Sequence, residues 1–243
     1  MPPSRLPPAL LIDLDDTILR FGLRADLSAE VSLEFAQEAL PLKPDELAGH
    51  LEAAFDTFWA NAERHRVSRF RPLDEVRREI VAELFEELRP RAPGLTQEAA
   101  VRFADRFHLY REGRIECFPG AVEALDRFKA AGLKLALITN GRSLVQREKI
   151  NRFELAHRFD HIQIEEEHGF GKPDERAYWH AMGALGVAPH ECWMIGDNLE
   201  WEVVAPQRLG IYAIWYDGYG RGLPEGSEIK PDRIIRSLMD LLD

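Results

Sequence analysis

The chain has 243 residues and a formal net charge of −11, from 31 Lys and Arg against 42 Asp and Glu. That balance argues against phosphate-backbone binding as the main task, so no nucleic acid is expected as a partner. A hydrophobic content of 45% and a charged content of 30% are ordinary for a globular protein, and the length suits one large domain or a core plus an insert.

The N-terminal stretch Met1 to Pro8 holds four prolines and one arginine and predicts a short, frayed entry. Asp13 interrupts the apolar run that follows, so no secretory signal is expected. Nowhere do about 18 apolar residues run together, and no membrane span is predicted. Cys117 and Cys192 lie far apart, with no zinc or redox spacing, so a reducing cytoplasm is the expected location.

Ala9 to Ile12 reads as a buried strand closing in Asp13-Leu14-Asp15-Asp16-Thr17. Side chains alternate along a strand, so Asp13 and Asp15 point to one side, at the carboxyl end where open α/β sheets place ligands. Two carboxylates about 4 Å apart repel by about 4 kcal/mol at an effective dielectric near 20, which calls for a proton or a cation. A hard divalent ion with oxygen ligands answers that need. A strand end followed by a solvated acidic turn gives the same local pattern, so this stretch alone leaves both readings open.

From about Phe21 to Glu116 the pattern is helical, with no convincing strand. Leu47, Leu51, Phe55, Phe58 and Trp59 share one helical face. So do Val76, Ile80, Leu84, Phe85 and Leu88, and again Ala99, Phe103, Phe107 and Tyr110; Val31, Phe35 and Ala39 give a weaker stripe. Prolines punctuate these segments, and about four helices forming a small bundle are predicted. Arg64, His65, Arg66, Arg69 and Arg71 form a basic cluster in this region. A solvated loop is its default reading, and a grip on an anionic substrate the sharper one.

Beyond Phe118 strands and helices alternate. Helices are predicted over Ala121 to Ala131, Val145 to Phe153, Ala177 to Leu185, Val203 to Leu209 and Ile234 to Leu242. Strands are predicted over Leu133 to Ile138, Ile162 to Ile164, Cys192 to Ile195 and Ile211 to Tyr216. The fold class is therefore α/β: a doubly wound parallel sheet, residues 1–20 and 117–243, entered after its first strand by an all-α insert, residues 21–116.

Three of the apolar strands close in chemistry-bearing residues: Asp13 to Thr17, then Thr139-Asn140-Gly141, then Gly196-Asp197-Asn198. Gly171-Lys172-Pro173-Asp174 opens a helix between the last two. Taken singly, Thr139-Asn140-Gly141 could be only a turn, Lys172 a loop lysine and Asp197 a helix cap. In this order and spacing the four motifs resemble the haloacid dehalogenase-like hydrolase superfamily, across almost the whole chain.

The resemblance implies a Rossmann-like core whose helical insert is a cap over the active site. It also implies a magnesium-dependent phosphatase working through an aspartyl-phosphate, with Asp13 as nucleophile and Asp15 as acid and base. Thr139, the Asn140 N–H and Lys172 would bind phosphate. Mg²⁺ would take the Asp13 and Asp197 carboxylates and the Asp15 carbonyl. The implied partner is a small phosphorylated metabolite; oligomeric state is left open.

One position departs from the pattern. Where relatives commonly carry Asp, five residues after Asp197, this chain has Glu202, which keeps the charge and could still hold a metal-bound water. Within the superfamily, 2-haloacid dehalogenases usually lack the acid at the position of Asp15, and a phosphonate hydrolase would want a Schiff-base lysine where the insert offers only Lys43. Phosphomutase activity depends on the cap rather than the motifs. A non-catalytic binding module would be expected to have lost Asp13, Asp15 or Lys172. His157 and His161, four apart, could share a helix face, with a structural role expected.

Overall fold

A computed structural model describes residues 6–21, 24–68 and 70–242. The chain forms two compact units, one of residues 1–20 with 116–243 and one of residues 21–115.

The first unit is built on a six-stranded sheet. Strand β1 (Ala9–Ile12) is fully buried, as four consecutive apolar residues require when both faces of a sheet are covered. It pairs in parallel with β4 (Lys134–Thr139), Leu10 opposite Leu135, and with β6 (Cys192–Gly196), Leu10 opposite Trp193. Outside β4 lies β5 (His161–Ile164); outside β6 lie β7 (Tyr212–Tyr216) and β8 (Arg233–Ile235). The order is β5-β4-β1-β6-β7-β8, with every pairing parallel. The chain winds one way from β1 to β5 and the other way from β6 to β8, so the carboxyl end of β1 sits where the winding reverses.

One face of the sheet packs Ala9, Leu11, Ala136, Ile138, Cys192 and Met194 against Tyr178, Ala181, Met182 and Leu185. The last four come from α9 (Glu175–Leu185), which ends at Gly186 with φ +64°, a left-handed cap that a side chain would strain. Helices α6 (Ala121–Ala130), α7 (Ser143–Arg152), α8 (Glu165–His168) and α10 (Ala205–Arg208) complete this unit. A two-stranded antiparallel pair, β2 (Leu19–Arg20) with β3 (Glu116–Cys117), closes the ends of the insert, so Glu116 belongs here rather than to the insert.

One expectation about helices fails in this unit, and another is met by a helix that starts earlier than expected. Residues 234–242 do not form one helix. Asp217 donates its N–H to the Ile235 carbonyl and Asp232 to that of Ala213, drawing the β-branched pair Ile234-Ile235 into the sheet edge. What remains is a 3₁₀ turn, Leu238–Leu241, capped by the Ser237 hydroxyl. The segment after β6 opens as a wide π-helical turn, Leu199–Val204, before Pro206 starts α10. Such turns are frequent at functional sites, and this one carries Glu202.

The second unit is entirely helical: α1 (Arg24–Glu34), α2 (Pro44–Ala60), α3 (Ala62–Ser68), α4 (Leu73–Leu88) and α5 (Gln97–Gly113). Its core gathers the predicted faces: Leu47, Leu51 and Phe55 of α2, Ile80 and Phe85 of α4, Phe103 and Phe107 of α5. Phe103 meets Phe35 and Phe85 at centroid distances of 5.0 and 5.5 Å, and Phe55 stacks on Phe107 at 5.3 Å. Pro44 opens α2, where its missing N–H costs nothing, and the Thr96 hydroxyl caps α5 by accepting from Ala99 N–H.

Among the described residues the unit has five helices rather than about four, because part of the basic cluster read as loop is α3. Arg64 holds Glu83 through two bonds of 2.6 and 3.0 Å and lies over the Phe58 ring, while Arg71 pairs with Glu79 at 2.6 Å. Those two cations are thus paired within their own unit. Arg69 and the side chains of His65 and Arg66 lie outside the described residues. Among the described residues, no helix is long and apolar enough to cross a membrane.

Candidate active site

The carboxyl ends of β1, β4 and β6 lie side by side in the sheet, which brings Asp13, Thr139 and Asp197 together from distant parts of the chain. Asp13 continues the pairing of β1, donating its N–H to the Ile195 carbonyl at 3.0 Å. The residue is 6% exposed. One carboxylate oxygen receives the Lys172 ammonium at 2.5 Å and the other the Thr17 hydroxyl at 3.1 Å. Burial pushes the Asp13 carboxyl above the usual carboxylate range, and Lys172 pulls it back.

Lys172 is as deeply buried as Asp13. Its ammonium also meets the Glu202 carboxylate at 2.6 Å. Burial alone would drive a lysine neutral, but two carboxylates within bonding distance outweigh it and raise its pKa, so it stays charged. The Asn140 side chain fixes the backbone that carries it, accepting from Lys172 N–H at 2.9 Å and donating to the Lys172 carbonyl at 2.7 Å. The residue before it has to be small: a Cβ on Gly171 would stand 2.5 Å from the Asn140 oxygen and 2.6 Å from Glu165 Cγ.

Glu202 is held by the protein at both carboxylate oxygens. One of its oxygens is on Lys172 and the other accepts the Asn198 N–H at 2.7 Å, and the residue is 1% exposed. Its carboxyl is pushed up to about 7, chiefly by burial. A Cβ on Gly196 would lie 2.1 Å from Glu202 Cγ, so the glycine of Gly196-Asp197 makes room for this side chain. Both oxygens being engaged, we expect Glu202→Asp to release either Lys172 or Asn198 and to lower kcat by about 10- to 100-fold, as lost supporting contacts do at comparable sites. Unchanged kcat at saturating metal would show that this double contact is dispensable.

Asp197 is partly buried, and among the described residues no donor or cation meets its carboxylate. Its carbonyl accepts the Trp215 indole N–H at 2.7 Å. Burial and the neighbouring Glu202, Asp13 and Asp16 carboxylates push the Asp197 carboxyl well above the usual range, with Lys172 opposing. An acid with three other acids near it and Lys172 as the opposing cation is short of positive charge. Hard oxygen donors in that state fit a small divalent cation such as Mg²⁺. Among the described residues no three His, Cys, Asp or Glu side chains converge into a cage. The helix-capping role weighed for Asp197 falls to its neighbour, as Asn198 Oδ1 accepts from Glu200 and Trp201 N–H.

Asp15 is half-buried and turns to α7. Lys149 Nζ meets both its carboxylate oxygens at 2.6 Å, and Gln146 Nε2 reaches one of them at 3.0 Å. Gln146 also donates to Thr139 Oγ1 at 2.5 Å and to the Asn140 carbonyl at 2.8 Å. Sequence reasoning missed Lys149 and Gln146, and it missed Tyr219, whose hydroxyl donates to Asp16 at 2.8 Å. Spacing was a usable signal for the first two: three apart on a helix, they share a face just after Thr139-Asn140-Gly141. His157 and His161 do not share a helix. His157 lies in a 3₁₀ turn and His161 opens β5, where its ring packs 5.2 Å from that of His180.

A parallel α/β sheet that gathers a buried acid, a lysine and a second acid at its carboxyl edge has the charge and the donors to handle an anionic group. Residues 7–210 match the haloacid dehalogenase-like hydrolases. The chain is 35% identical to a phosphoserine phosphatase of Thermus thermophilus over 96% of both chains. It is 27% identical to a glyceraldehyde 3-phosphate phosphatase of Methanopyrus kandleri, over 97% of this chain and 95% of that one. The fold aligns with the magnesium-bound HAD-hydrolase YfnB of Bacillus subtilis at a TM-score of 0.71 and 23% identity, over 98% and 97% of the two chains. A 2-haloacid dehalogenase of Pseudomonas syringae aligns at 0.58 and 22%, again over 98% and 97%, a likeness of fold alone. The chain belongs to the haloacid dehalogenase-like hydrolases and is of their phosphatase type, a phosphoric monoester hydrolase.

Proposed function

We propose that this chain removes phosphate from a small phosphorylated metabolite, with Mg²⁺, through an aspartyl-phosphate on Asp13. The observation that carries the reading is the grouping of buried Asp13, paired with Lys172, a second acid at Asp15, and the Asp197 carboxylate, which meets no donor among the described residues. The Asp13 and Asp197 carboxylates and the Asp15 carbonyl would hold the ion, which when bound supplies charge neutralisation for the phosphoryl group.

The protein's own residues account for the rest. Thr17 and Lys172 hold the Asp13 carboxylate in place, so that one oxygen attacks phosphorus in line with the leaving group. As that bond forms, the bond from phosphorus to the substrate oxygen breaks and Asp15 gives that oxygen a proton. Water then attacks the aspartyl-phosphate. Its proton passes to Asp15, the bond from phosphorus to the Asp13 oxygen breaks, and inorganic phosphate leaves. Lys172, the Thr139 hydroxyl and the Asn140 N–H take the charge on the phosphoryl oxygens. We assign the helical unit the role of cap, sheltering the reaction from water, and the enzyme a cytoplasmic location.

Phosphoserine and glyceraldehyde 3-phosphate, for which the relatives are named, are the first substrates to try. They should be assayed beside p-nitrophenyl phosphate and 2-haloacids, with EDTA or with Mg²⁺. Phosphate release that needs Mg²⁺, with no halide release, is expected. Full turnover by metal-stripped enzyme, or halide release without phosphatase activity, would sink the reading.

A further inference from the structure

We propose that Lys149 and Gln146, on one face of α7, are positioning residues that hold Asp15 for its proton transfers. The inference rests on the reading of Asp15 as acid and base, and it extends the working site to a helix that none of the four motifs includes. An aspartate in a turn, half-exposed as Asp15 is, ordinarily swings about both side-chain bonds. Here the Lys149 ammonium lies 2.6 Å from each carboxylate oxygen, fixing the plane of the carboxylate. The ammonium is itself nearly enclosed, its side chain 9% exposed, so solvent competes little for the contact.

Gln146 shows that the arrangement is specific. Its amide nitrogen faces three acceptors, Asp15 Oδ2, Thr139 Oγ1 and the Asn140 carbonyl. Its amide oxygen is buried without a hydrogen-bond partner. Flipping the amide would aim that oxygen at a carboxylate and a carbonyl, so the acceptors dictate the orientation and leave the oxygen unsatisfied. A buried orphan acceptor is costly and calls for a reason. The reason is that one amide ties the acid to both residues assigned to the phosphate. Rotation of Asp15 relative to the phosphoryl group is thereby restricted from two sides.

A strut that merely stabilised α7 would, when removed, slow all substrates alike. A holder of the general acid would not. An alkyl phosphate needs its leaving oxygen protonated, whereas p-nitrophenolate departs well without a proton. The value kcat/KM reports steps up to departure of the leaving group, so it isolates the acid's role. Lys149→Met should lower kcat/KM on an alkyl phosphate by about 10- to 100-fold. Its loss on p-nitrophenyl phosphate should be smaller by about tenfold. Lys149→Arg, which keeps the cation, should recover most of the difference. Gln146→Leu should show the same bias even if Lys149→Met folds poorly, and thermal melts would record folding of each. Asp15→Asn is the reference, with a bias of its own and no further bias on adding Lys149→Met. Equal losses on both substrates for Lys149→Met and Gln146→Leu, with the bias present in Asp15→Asn, would overturn the positioning role alone. No bias in Asp15→Asn itself would instead remove the acid–base reading beneath it.

Discussion

Asp13→Asn should form no phosphoenzyme, whereas Asp15→Asn should accumulate one. An amide at position 13 has no competent nucleophile, and the rest of the site should stand, because Lys172 keeps its 2.6 Å contact with Glu202. Position 15 differs in kind. Its removal leaves the nucleophile and the phosphate grip intact and takes away the proton traffic, which is worth about 10²- to 10⁴-fold in comparable enzymes. With acetyl phosphate, whose leaving group needs little protonation, Asp15→Asn should still transfer the phosphoryl group to Asp13 and then stall, since water is no longer activated. Intact-protein mass spectrometry should find one added phosphoryl group on Asp15→Asn and none on Asp13→Asn. A phosphoryl group elsewhere on Asp13→Asn would move the nucleophile. Wild-type turnover by Asp15→Asn would remove the acid and base.

Much of this site is legible in the sequence because its residues end apolar runs. Ala9 to Ile12 and Cys192 to Ile195 can only be interior strands, and the polar residues that close them fall at the same edge of the sheet once the strands lie parallel. The helical insert is equally readable, from stripes such as Leu47, Leu51, Phe55 and Phe58.

What pattern could not show is which polar side chains turn inward. The α7 segment, Ser143 to Arg152, is so polar that it reads as a surface helix; the three-residue spacing of Gln146 and Lys149 puts them on one face, but no apolar stripe says that this face is the buried one. Glu202 is found by position, but its contacts with Lys172 and the Asn198 N–H depend on how distant segments pack and leave no mark in the sequence. The C-terminal segment misled for a related reason. Ile234 and Ile235 with Leu238, Leu241 and Leu242 offer a helical stripe, and the tie that overrides it comes from Asp217, far away in sequence. Tyr219 sits in a loop, where neither period applies.

Lys172→Met should show how the buried charges depend on one another, and its effect should be large and dependent on pH. Lys172 is the one ammonium that Asp13 and Glu202 share. Removing one partner of a buried ion pair typically costs about 3–5 kcal/mol, because the remaining charge is left without compensation. The carboxyls have a way out, which is to bind protons. Glu202 already titrates near 7 with Lys172 present, against 4.5 for an ordinary glutamate, and without the ammonium it should rise further. A folded-state pKa above the unfolded one means that the native state holds its proton more tightly. Stability is therefore fully present below about 4.5 and is lost as pH climbs through the folded value. In the presence of EDTA, the Lys172→Met protein should melt close to wild type at pH 5 and well below it at pH 8. Activity should fall by about 10²- to 10³-fold, the usual cost of losing one preorganised donor to a developing oxyanion. A melting difference that stayed constant from pH 5 to 8 would show that Lys172 does not neutralise Asp13 and Glu202, and full activity would remove it from the phosphate grip.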